Sequence, residues 1–188
     1  MTNQARNGPA PVLPVRSSAP AAALAGLRDE FRQVMARVAS PVSVITTMTE
    51  DGPRGTTVSA FSSLSMEPPL VMGALDLKSE LLAALRTSDR FGVNVLGAHQ
   101  SAAALAFASK LGSDKFAGVG WSLDAGAPRL DGAPGWLVCD VVELLPGGDH
   151  VIVVGAVREA ETAAAEPLVY HDRTFNTCSS LAGRGAAS

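Results

Sequence analysis

Apolar residues recur along the chain at two different spacings, and these spacings predict most of its helices and strands. Residues 27–38 carry an apolar side chain at every third or fourth position, which predicts an amphipathic helix. The members of this apolar stripe are Leu27, Phe31, Val34, Met35 and Val38. Beyond Pro41 the spacing shortens to two, as in a strand with one buried face. The chain therefore predicts one N-terminal helix followed by a mainly β structure.

Short runs of β-branched and apolar residues, separated by turn residues, predict a series of strands. They lie at residues 42–48, 55–66, 69–75, 90–96, 135–145 and 150–162, with one or two more within 166–178. Two further helices are predicted at residues 79–88 and 98–109. Tight turns such as Pro146-Gly147-Gly148-Asp149 favour antiparallel hairpins between neighbouring strands. The pattern predicts an antiparallel, Greek-key-like β-barrel with peripheral helices.

Length and local composition indicate a single domain between two tails. The chain has 188 residues, which is enough for one domain with a sizeable core. Residues 1–26 are rich in Pro and Ala and predict a flexible tail. We therefore place the domain at residues 27–180 and a second flexible tail at 181–188.

Charge and hydropathy exclude several classes of protein. Hydrophobic residues make up 47% of the chain and charged residues 18%, as in a globular protein. The net charge is −3 and no stripe of Lys and Arg is present, which argues against a nucleic-acid partner. No apolar run reaches the length of a transmembrane helix. Prolines interrupt the N-terminal segment where a signal peptide needs a continuous apolar stretch. We expect a cytoplasmic protein.

Several common cofactor and metal motifs are missing from the sequence. The segment GVGWSL at residues 118–123 lacks the third glycine of a dinucleotide-binding fingerprint and lies in no βαβ unit. Two cysteines and three histidines without a CxxC pair do not form a recognisable zinc site. Cys139 lies in the apolar run WLVCDVVELL and is expected to be a small core side chain.

The stretch GTTVSAFSSLSMEPP, residues 55–69, is unusual for its hydroxyl groups. It carries Ser or Thr at six of its first eleven positions and no charge before Glu67. As one strand, it would present Thr57, Ser59, Ser63 and Ser65 on one face and pack the other face against a core. Such a face fits a solvated edge strand. It also fits a surface that binds a flat, polar or anionic ligand, because hydroxyl groups both donate and accept hydrogen bonds.

Three further places carry candidate binding residues, each with a structural alternative. Lys78 and Ser79 precede a predicted helix, where they could bind an anion or only cap the helix. His150 begins a strand after the turn, and could contact a bound anion or heterocycle or simply end the hairpin. Lys115 and Phe116 lie in a glycine-containing loop, a type of segment that often carries function.

Taken together, these motifs resemble the short-chain flavin reductase family, the reductase components of two-component flavin-dependent monooxygenases. The resemblance covers residues 28–178, and is particularly clear to reductases of actinomycete aromatic-polyketide pathways. It rests on GTTVSAFSSLSMEPPL, DLKS, FGVNVL, LAFASKLGSDKFAG, GDHVIVVGAV and PLVYHDRTF in this order. It implies an FMN-binding split barrel, a homodimer, NADH or NADPH as reductant, and a monooxygenase that receives reduced flavin by diffusion.

The resemblance also implies which residues contact the cofactors. On the flavin side these are Thr57, Val58, Ser59, Ala60, Ser63, Ser65, Lys78, Ser79, Lys115 and Phe116, and on the nicotinamide side His150, Tyr170 and Arg173. Thr57-Val58 stands where the family commonly has Ala-Asn or Ala-Ser. Hydride passes from nicotinamide C4 to flavin N5, so no catalytic side chain and no metal is expected. On this hypothesis the hydroxyl face holds the flavin and charged side chains are kept away from it.

Two other functions remain open at this point. One is a flavin-binding barrel of the pyridoxamine-phosphate-oxidase-like or flavin-storage type that does not turn over NADH. The other is a β-barrel interaction domain without a cofactor. The Gly-Asp-His segment at residues 148–150 favours the reductase. FAD or riboflavin could replace FMN as the flavin.

Overall fold

The structure, a computed structural model, describes residues 21–108 and 115–179 and is mainly β. Its helices are α1 (Ala21–Ala36), α2 (Glu80–Leu85) and α3 (Ser101–Ala108), the last preceded by a 3-10 turn (Ala98–Gln100). Its strands are β1 (Ser40–Pro41), β2 (Ser43–Thr49), β3 (Gly52–Val58), β4 (Phe61–Met66), β5 (Pro69–Asp76), β6 (Arg90–Val95), β7 (Trp121–Asp124), β8 (Ala127–Leu130), β9 (Gly135–Gly147), β10 (His150–Thr162), β11 (Val169–His171) and β12 (Thr174–Asn176). The predicted C-terminal tail at 181–188, and most of the N-terminal tail, lie outside the described residues.

Seven antiparallel strands form the main sheet, in the order β3-β2-β6-β9-β10-β5-β4. The sheet curls so that β3 also contacts β5, and apolar side chains from both ends of the strand order meet in one core. Ile45, Val93, Cys139 and Val153 are all fully or almost fully buried there. The predicted antiparallel barrel and the hairpin between β9 and β10 are confirmed. No helix within the described residues has the length and apolar character needed to cross a membrane.

Residues 55–66 form two strands rather than the single strand predicted. β3 pairs with β2 and β4 pairs with β5, so the two segments occupy opposite ends of the strand order. The chain bends at Ser59 and Ala60, both exposed, to pass from one to the other. The prediction of a buried face is therefore wrong beyond the bend. Val58 is buried, whereas Leu64 is 49% and Met66 81% exposed.

Helix α1 begins at Ala21, earlier than the predicted start at Leu27, and its predicted apolar stripe is present but not buried. Each member of the stripe is at least 44% exposed. Two contacts join the end of the helix to the hairpin of β11 and β12. The Asp172 N–H donates to the Ala36 carbonyl at 2.7 Å, and Arg37 lies 3.5 Å from the Asp172 carboxylate.

The hairpin of β7 and β8 was missed because each of its strands is only four residues long. The buried amide of Asn94 ties this hairpin to the barrel. Its Oδ1 accepts the Leu130 N–H at 2.7 Å, and its Nδ2 lies within 3.4 Å of the carbonyls of Val44 and Pro128. The Thr46 hydroxyl donates to the same Pro128 carbonyl at 2.6 Å. A single polar cluster thus satisfies backbone groups that the short hairpin leaves inside the core.

Two glycines allow close packing that any side chain would prevent. A Cβ on Gly155 would collide with the Phe91 ring, and one on Gly55 would lie 2.8 Å from the Phe107 ring. The second contact seats α3 directly against β3. Cys139 also packs in the core as predicted, and burial raises the pKa of its thiol to about 12.

We expect Asn94→Leu to lower the free energy of unfolding by about 2–3 kcal/mol, because it leaves the Leu130 N–H without a partner in a dry core. Denaturant unfolding would measure this. Ser122→Ala, an exposed change on the same β7–β8 hairpin, should stay within about 0.5 kcal/mol of the parent. An unchanged unfolding midpoint for Asn94→Leu would contradict the role given to the amide.

Candidate functional site

A cavity of about 650 Å³ opens where the end of β3 approaches the end of β5, and we call it the β3 cavity. α2 and the end of α3 complete its wall. Its lining residues are Thr56, Thr57, Val58, Ser59, Ala60, Ala74, Leu75, Asp76, Lys78, Ser79, Glu80, Ala108, Lys115 and His150. The cavity therefore brings together eight residues of the predicted site from four separate segments of the chain.

The threonine hydroxyls of β3 have a structural task in this cavity. Thr57 Oγ1 donates to the Ala104 carbonyl at 2.7 Å, and Thr56 Oγ1 lies 3.4 Å from the Phe107 carbonyl. Both carbonyls belong to α3, and that of Phe107 lies in the last turn, where a helix lacks donors of its own. The donor of the Thr57 hydroxyl is therefore already used, so this hydroxyl can only accept a hydrogen bond from a ligand. Ser59 is exposed and makes no hydrogen bond within the described residues.

Charged side chains line the β3 cavity beside the hydroxyl groups, although charge was expected to be kept away from the hydroxyl face; they include the predicted Lys78 and Lys115. Lys78 and Lys115 face it together with Asp76 and Glu80. Lys115 Nζ donates to the Phe107 carbonyl at 3.2 Å, and burial lowers the pKa of this ammonium, while nearby Glu80 opposes the shift. In the described part of the chain, Lys78 forms no ion pair. The cavity thus offers cationic groups to an anionic ligand.

The turn before α2 fixes the direction of Lys78. The Asp76 carboxylate accepts the Lys78 N–H at 2.8 Å, and the Asp149 carbonyl accepts the Leu77 N–H at 3.1 Å. Ser79 caps α2, because its hydroxyl accepts the Leu82 N–H at 3.4 Å. The predicted cap is confirmed, and the anion-binding capacity of this turn comes from the Lys78 ammonium rather than from so short a helix.

His150 opens β10 on the face opposite the buried Val151 and Val153. It pairs across the sheet with Asp76, which places its ring beside the Lys78 turn. Its Nδ1 lies 2.8 Å from Asp149 Oδ1, and this hydrogen bond lowers the pKa of the exposed Asp149 carboxyl. With Nδ1 directed at Asp149, Nε2 is the ring nitrogen left for a ligand.

Tyr170 and Arg173 line a different cavity from His150, although the sequence grouped the three residues. This second cavity, of about 490 Å³, lies against β11 and β12, and we call it the hairpin cavity. Its wall consists of Val42, Thr57, Ser59, Leu105, Ala108, Tyr170, Arg173, Thr174 and Phe175. Thr57, Ser59 and Ala108 belong to both cavities, so the two spaces adjoin along the end of β3.

Four predicted flavin contacts have positions that do not favour direct contact. Ser63 and Ser65 lie on β4, outside the β3 cavity. Phe116 is 9% exposed and packs edge-on against Phe107 at 4.8 Å between ring centroids, so it belongs to the core. The Val58 side chain lines the cavity but is 5% exposed and packs in the barrel core, which leaves it a small share of the surface.

The sequence analysis also missed residues of the cavity. Asp76 and Glu80 flank Lys78 and Ser79, and the quoted segment DLKS already contained the first of them. Thr56 was assigned to the core face, because the two-residue alternation places it on the same side as Val58. The carboxylates of Asp76 and Glu80 bring the net charge of the cavity wall close to zero.

The residues of the β3 cavity fit a flavin in size and chemistry. Its volume lies in the range of sites for ligands of this size. Ala60, Ala74 and Leu75 provide apolar surface for a flat ring, while Lys78 provides a cation for a phosphate. A cavity open along one side also leaves space for a second heterocycle to stack on the first.

Comparison with known proteins agrees with this geometry. Residues 35–179 match the flavin reductase like domain. The reductase component of 4-nitrophenol 4-monooxygenase/4-nitrocatechol 2-monooxygenase from Rhodococcus opacus is 40% identical over 148 residues, which cover 79% of this chain and 80% of the relative. Actinorhodin polyketide dimerase from Streptomyces coelicolor is 38% identical over 165 residues, 82% and 93% of the two chains.

A solved structure extends the likeness to the fold. The NADH:FAD oxidoreductase of Streptomyces globisporus, in complex with NAD and FAD fragments, matches with a TM-score of 0.78 at 34% identity. The match covers 82% of this chain and 94% of that one. The barrel described above is thus the split barrel of these reductases, and the chain belongs to the flavin reductase family.

Proposed function

We propose that this flavin reductase oxidises NADH, reduces free FMN in preference to FAD or riboflavin, and releases the reduced flavin to a partner monooxygenase. The observation that carries the proposal is the β3 cavity, which joins an apolar ring surface, His150 and a Lys78 that has no ion pair among the described residues. NADPH is the alternative reductant. The proposed use of a diffusible coenzyme and flavin agrees with the expected cytoplasmic location.

The chemistry is supplied by the two bound heterocycles, with hydride passing from nicotinamide C4 to flavin N5 and solvent providing the accompanying proton. The protein contributes position, because two rings held in stacking contact gain most of the advantage of proximity. Ala60, Ala74 and Leu75 would support the flavin ring, and Ser59 and backbone groups at the bend would meet its polar edge. No side chain is needed as acid or nucleophile.

Lys78 would hold the flavin phosphate and His150 the reductant. The Lys78 ammonium is a compact cation at the edge of the cavity, suited to a phosphate. The His150 ring lines the cavity, and the contact of Nδ1 with Asp149 leaves Nε2 for the ligand. Lys115 is partly buried, and its ammonium already donates to Phe107, so it would act as a fixed positive charge near the rings rather than as a mobile clamp.

Release of the product follows from how the cavity is built. Lys78 is exposed, and the acidic Asp76 and Glu80 flank it, so the attraction for a phosphate is partly cancelled and screened by water. A moderate affinity of this kind lets reduced flavin leave before it is reoxidised. This supports a diffusible product for a monooxygenase partner.

We also propose that the protein is a homodimer that covers the apolar stripe of α1. Within the described residues this stripe joins no core cluster and remains at least 44% exposed at each position, and exposed apolar patches of this kind mark interaction surfaces. A second copy offers the same stripe, so the two helices can bury each other by two-fold symmetry.

The function is tested by mixing purified protein with NADH and FMN in air and following the NADH absorbance. Rapid oxidation that requires added flavin supports the reductase. Protein that turns yellow with FMN but does not oxidise NADH would identify a flavin-storage protein, and protein that does neither would identify an interaction domain. Repeating the assay with NADPH, FAD and riboflavin gives the order of preference.

His150 and Lys78 should separate the two ligands. We expect His150→Ala to raise the KM for NADH about five- to tenfold, the loss of one hydrogen bond, and to leave the Kd for FMN unchanged. Lys78→Ala should instead raise the Kd for FMN by a similar factor and leave the KM for NADH unchanged. Steady-state kinetics and flavin fluorescence titration measure the two effects, with His99→Ala, an exposed histidine outside the β3 cavity, as control. Equal losses for both ligands in either variant would contradict this assignment.

Phe31→Asp should weaken the dimer at least about a hundredfold, because symmetry places the buried charge in the interface twice. Sedimentation velocity over a range of concentrations measures the shift. Gln33→Asp adds the same charge on the opposite side of α1 and should leave the dimer intact. A parent protein that remains monomeric at high concentration would rule out this interface.

A further inference from the structure

The described wall of the β3 cavity carries two carboxylates, and they differ in how they are held. Asp76 accepts the Lys78 N–H at 2.8 Å and pairs with His150 across the sheet, so it belongs to the turn that positions Lys78. The Glu80 carboxylate lines the same cavity but forms no hydrogen bond or salt bridge with another residue of the described ranges. The architecture of the turn therefore accounts for Asp76 and leaves Glu80 unexplained.

A structural use of Glu80 in α2 accounts for little of its presence. A carboxylate in the first turn of a helix is stabilising because it faces the positive end of the helix dipole. However, α2 has only six residues, and its cap is already supplied by Ser79, whose hydroxyl accepts the Leu82 N–H at 3.4 Å. Glu80 is exposed, so water screens what its charge contributes to the helix. Its position in the cavity is the more informative observation.

The Glu80 carboxylate acts on both lysines of the cavity. Glu80 follows Lys78 by two residues, so their Cα atoms are at most about 7 Å apart. Burial lowers the pKa of the Lys115 ammonium, and the charge of Glu80 opposes this shift. In the part of the chain that the structure describes, neither lysine forms a salt bridge with Glu80. Both ammonium groups thus face the ligand space within the field of a nearby negative charge.

We propose that Glu80 weakens the binding of the flavin phosphate in the β3 cavity, and so keeps flavin a substrate that exchanges rather than a cofactor that is retained. This inference rests on the proposed reduction of free FMN, in which Lys78 holds the phosphate. A phosphate monoester carries close to two negative charges near neutral pH, and the Glu80 carboxylate in the same wall repels it. At separations below about 8 Å, physiological salt screens only part of this repulsion.

The effect of Glu80 should be confined to the phosphate of the ligand. The apolar surface for the ring comes from Ala60, Ala74 and Leu75, at the bend and on β5, whereas Glu80 begins α2 beside the Lys78 turn. The oxidised flavin ring is uncharged, so a carboxylate changes its binding much less than that of a dianion. Riboflavin, which has the same ring and no phosphate, therefore reports on ring binding alone.

Fluorescence titrations with oxidised FMN and riboflavin test the role of Glu80 without turnover. We expect Glu80→Gln to lower the Kd for FMN about three- to tenfold, because a charge that repels the phosphate is removed, and to leave the Kd for riboflavin unchanged. Glu80→Asp keeps the charge and should stay close to the parent. Glu143→Gln, at an exposed glutamate outside the β3 cavity, makes the same change in net charge and should alter neither constant. An unchanged Kd for FMN in Glu80→Gln, or an equal gain for riboflavin, would overturn the proposal.

Salt dependence and release rates separate an electrostatic effect from a rearranged cavity. The tighter FMN binding of Glu80→Gln should largely disappear at about 0.5 M salt, where charges are screened over a few ångströms. In anaerobic stopped-flow experiments, reduced FMN should leave this variant at least about three times more slowly than the parent. A gain that persists at high salt, or release as fast as in the parent, would contradict the role given to Glu80. A parent that binds FMN but does not oxidise NADH would refute the proposed reductase, while the FMN titrations would still decide the role of Glu80.

Discussion

The packing of α3 on β3 is the constraint on which the candidate site depends. Gly55 lets the Phe107 ring approach the strand, and the hydroxyls of Thr56 and Thr57 meet carbonyls of α3. These contacts hold the last turn of the helix at the end of β3, where Ala108 joins the wall of both cavities. A helix without such donors would leave unpaired carbonyls where a ligand has to bind.

The hydroxyl groups of β3 have a structural task that the sequence did not reveal. Neutral hydroxyls on β3 mainly support the scaffold, whereas the charged Lys78, Lys115 and His150 face the space for ligands. Acidic neighbours keep the cavity from being strongly positive. Such a balance is appropriate for a site that must bind an anion and then let it go, because partial cancellation of charge limits affinity without removing recognition.

Periodic, continuous segments could be predicted from the sequence, and interruptions of them could not. The β9–β10 hairpin and the Ser79 cap follow from turn and capping residues and are present. The two-residue alternation of the sequence does not predict the bend at Ser59–Ala60, because neither residue breaks a strand by itself. The position of this bend is set by tertiary pairing, in which β3 pairs with β2 and β4 pairs with β5. Likewise, periodicity located the apolar stripe of α1 but not what covers it.

The burial of Cys139 affects how well the protein resists oxidation. Reduced flavin that escapes in air is reoxidised by oxygen and yields peroxide, to which the enzyme's own sulfur atoms are the nearest targets. Thiolate is the form that peroxide attacks, and a thiol with a pKa of about 12 inside the barrel is almost never in that form. Chemical ageing would begin instead at the exposed Cys178 and Met66, which belong to none of the buried core clusters.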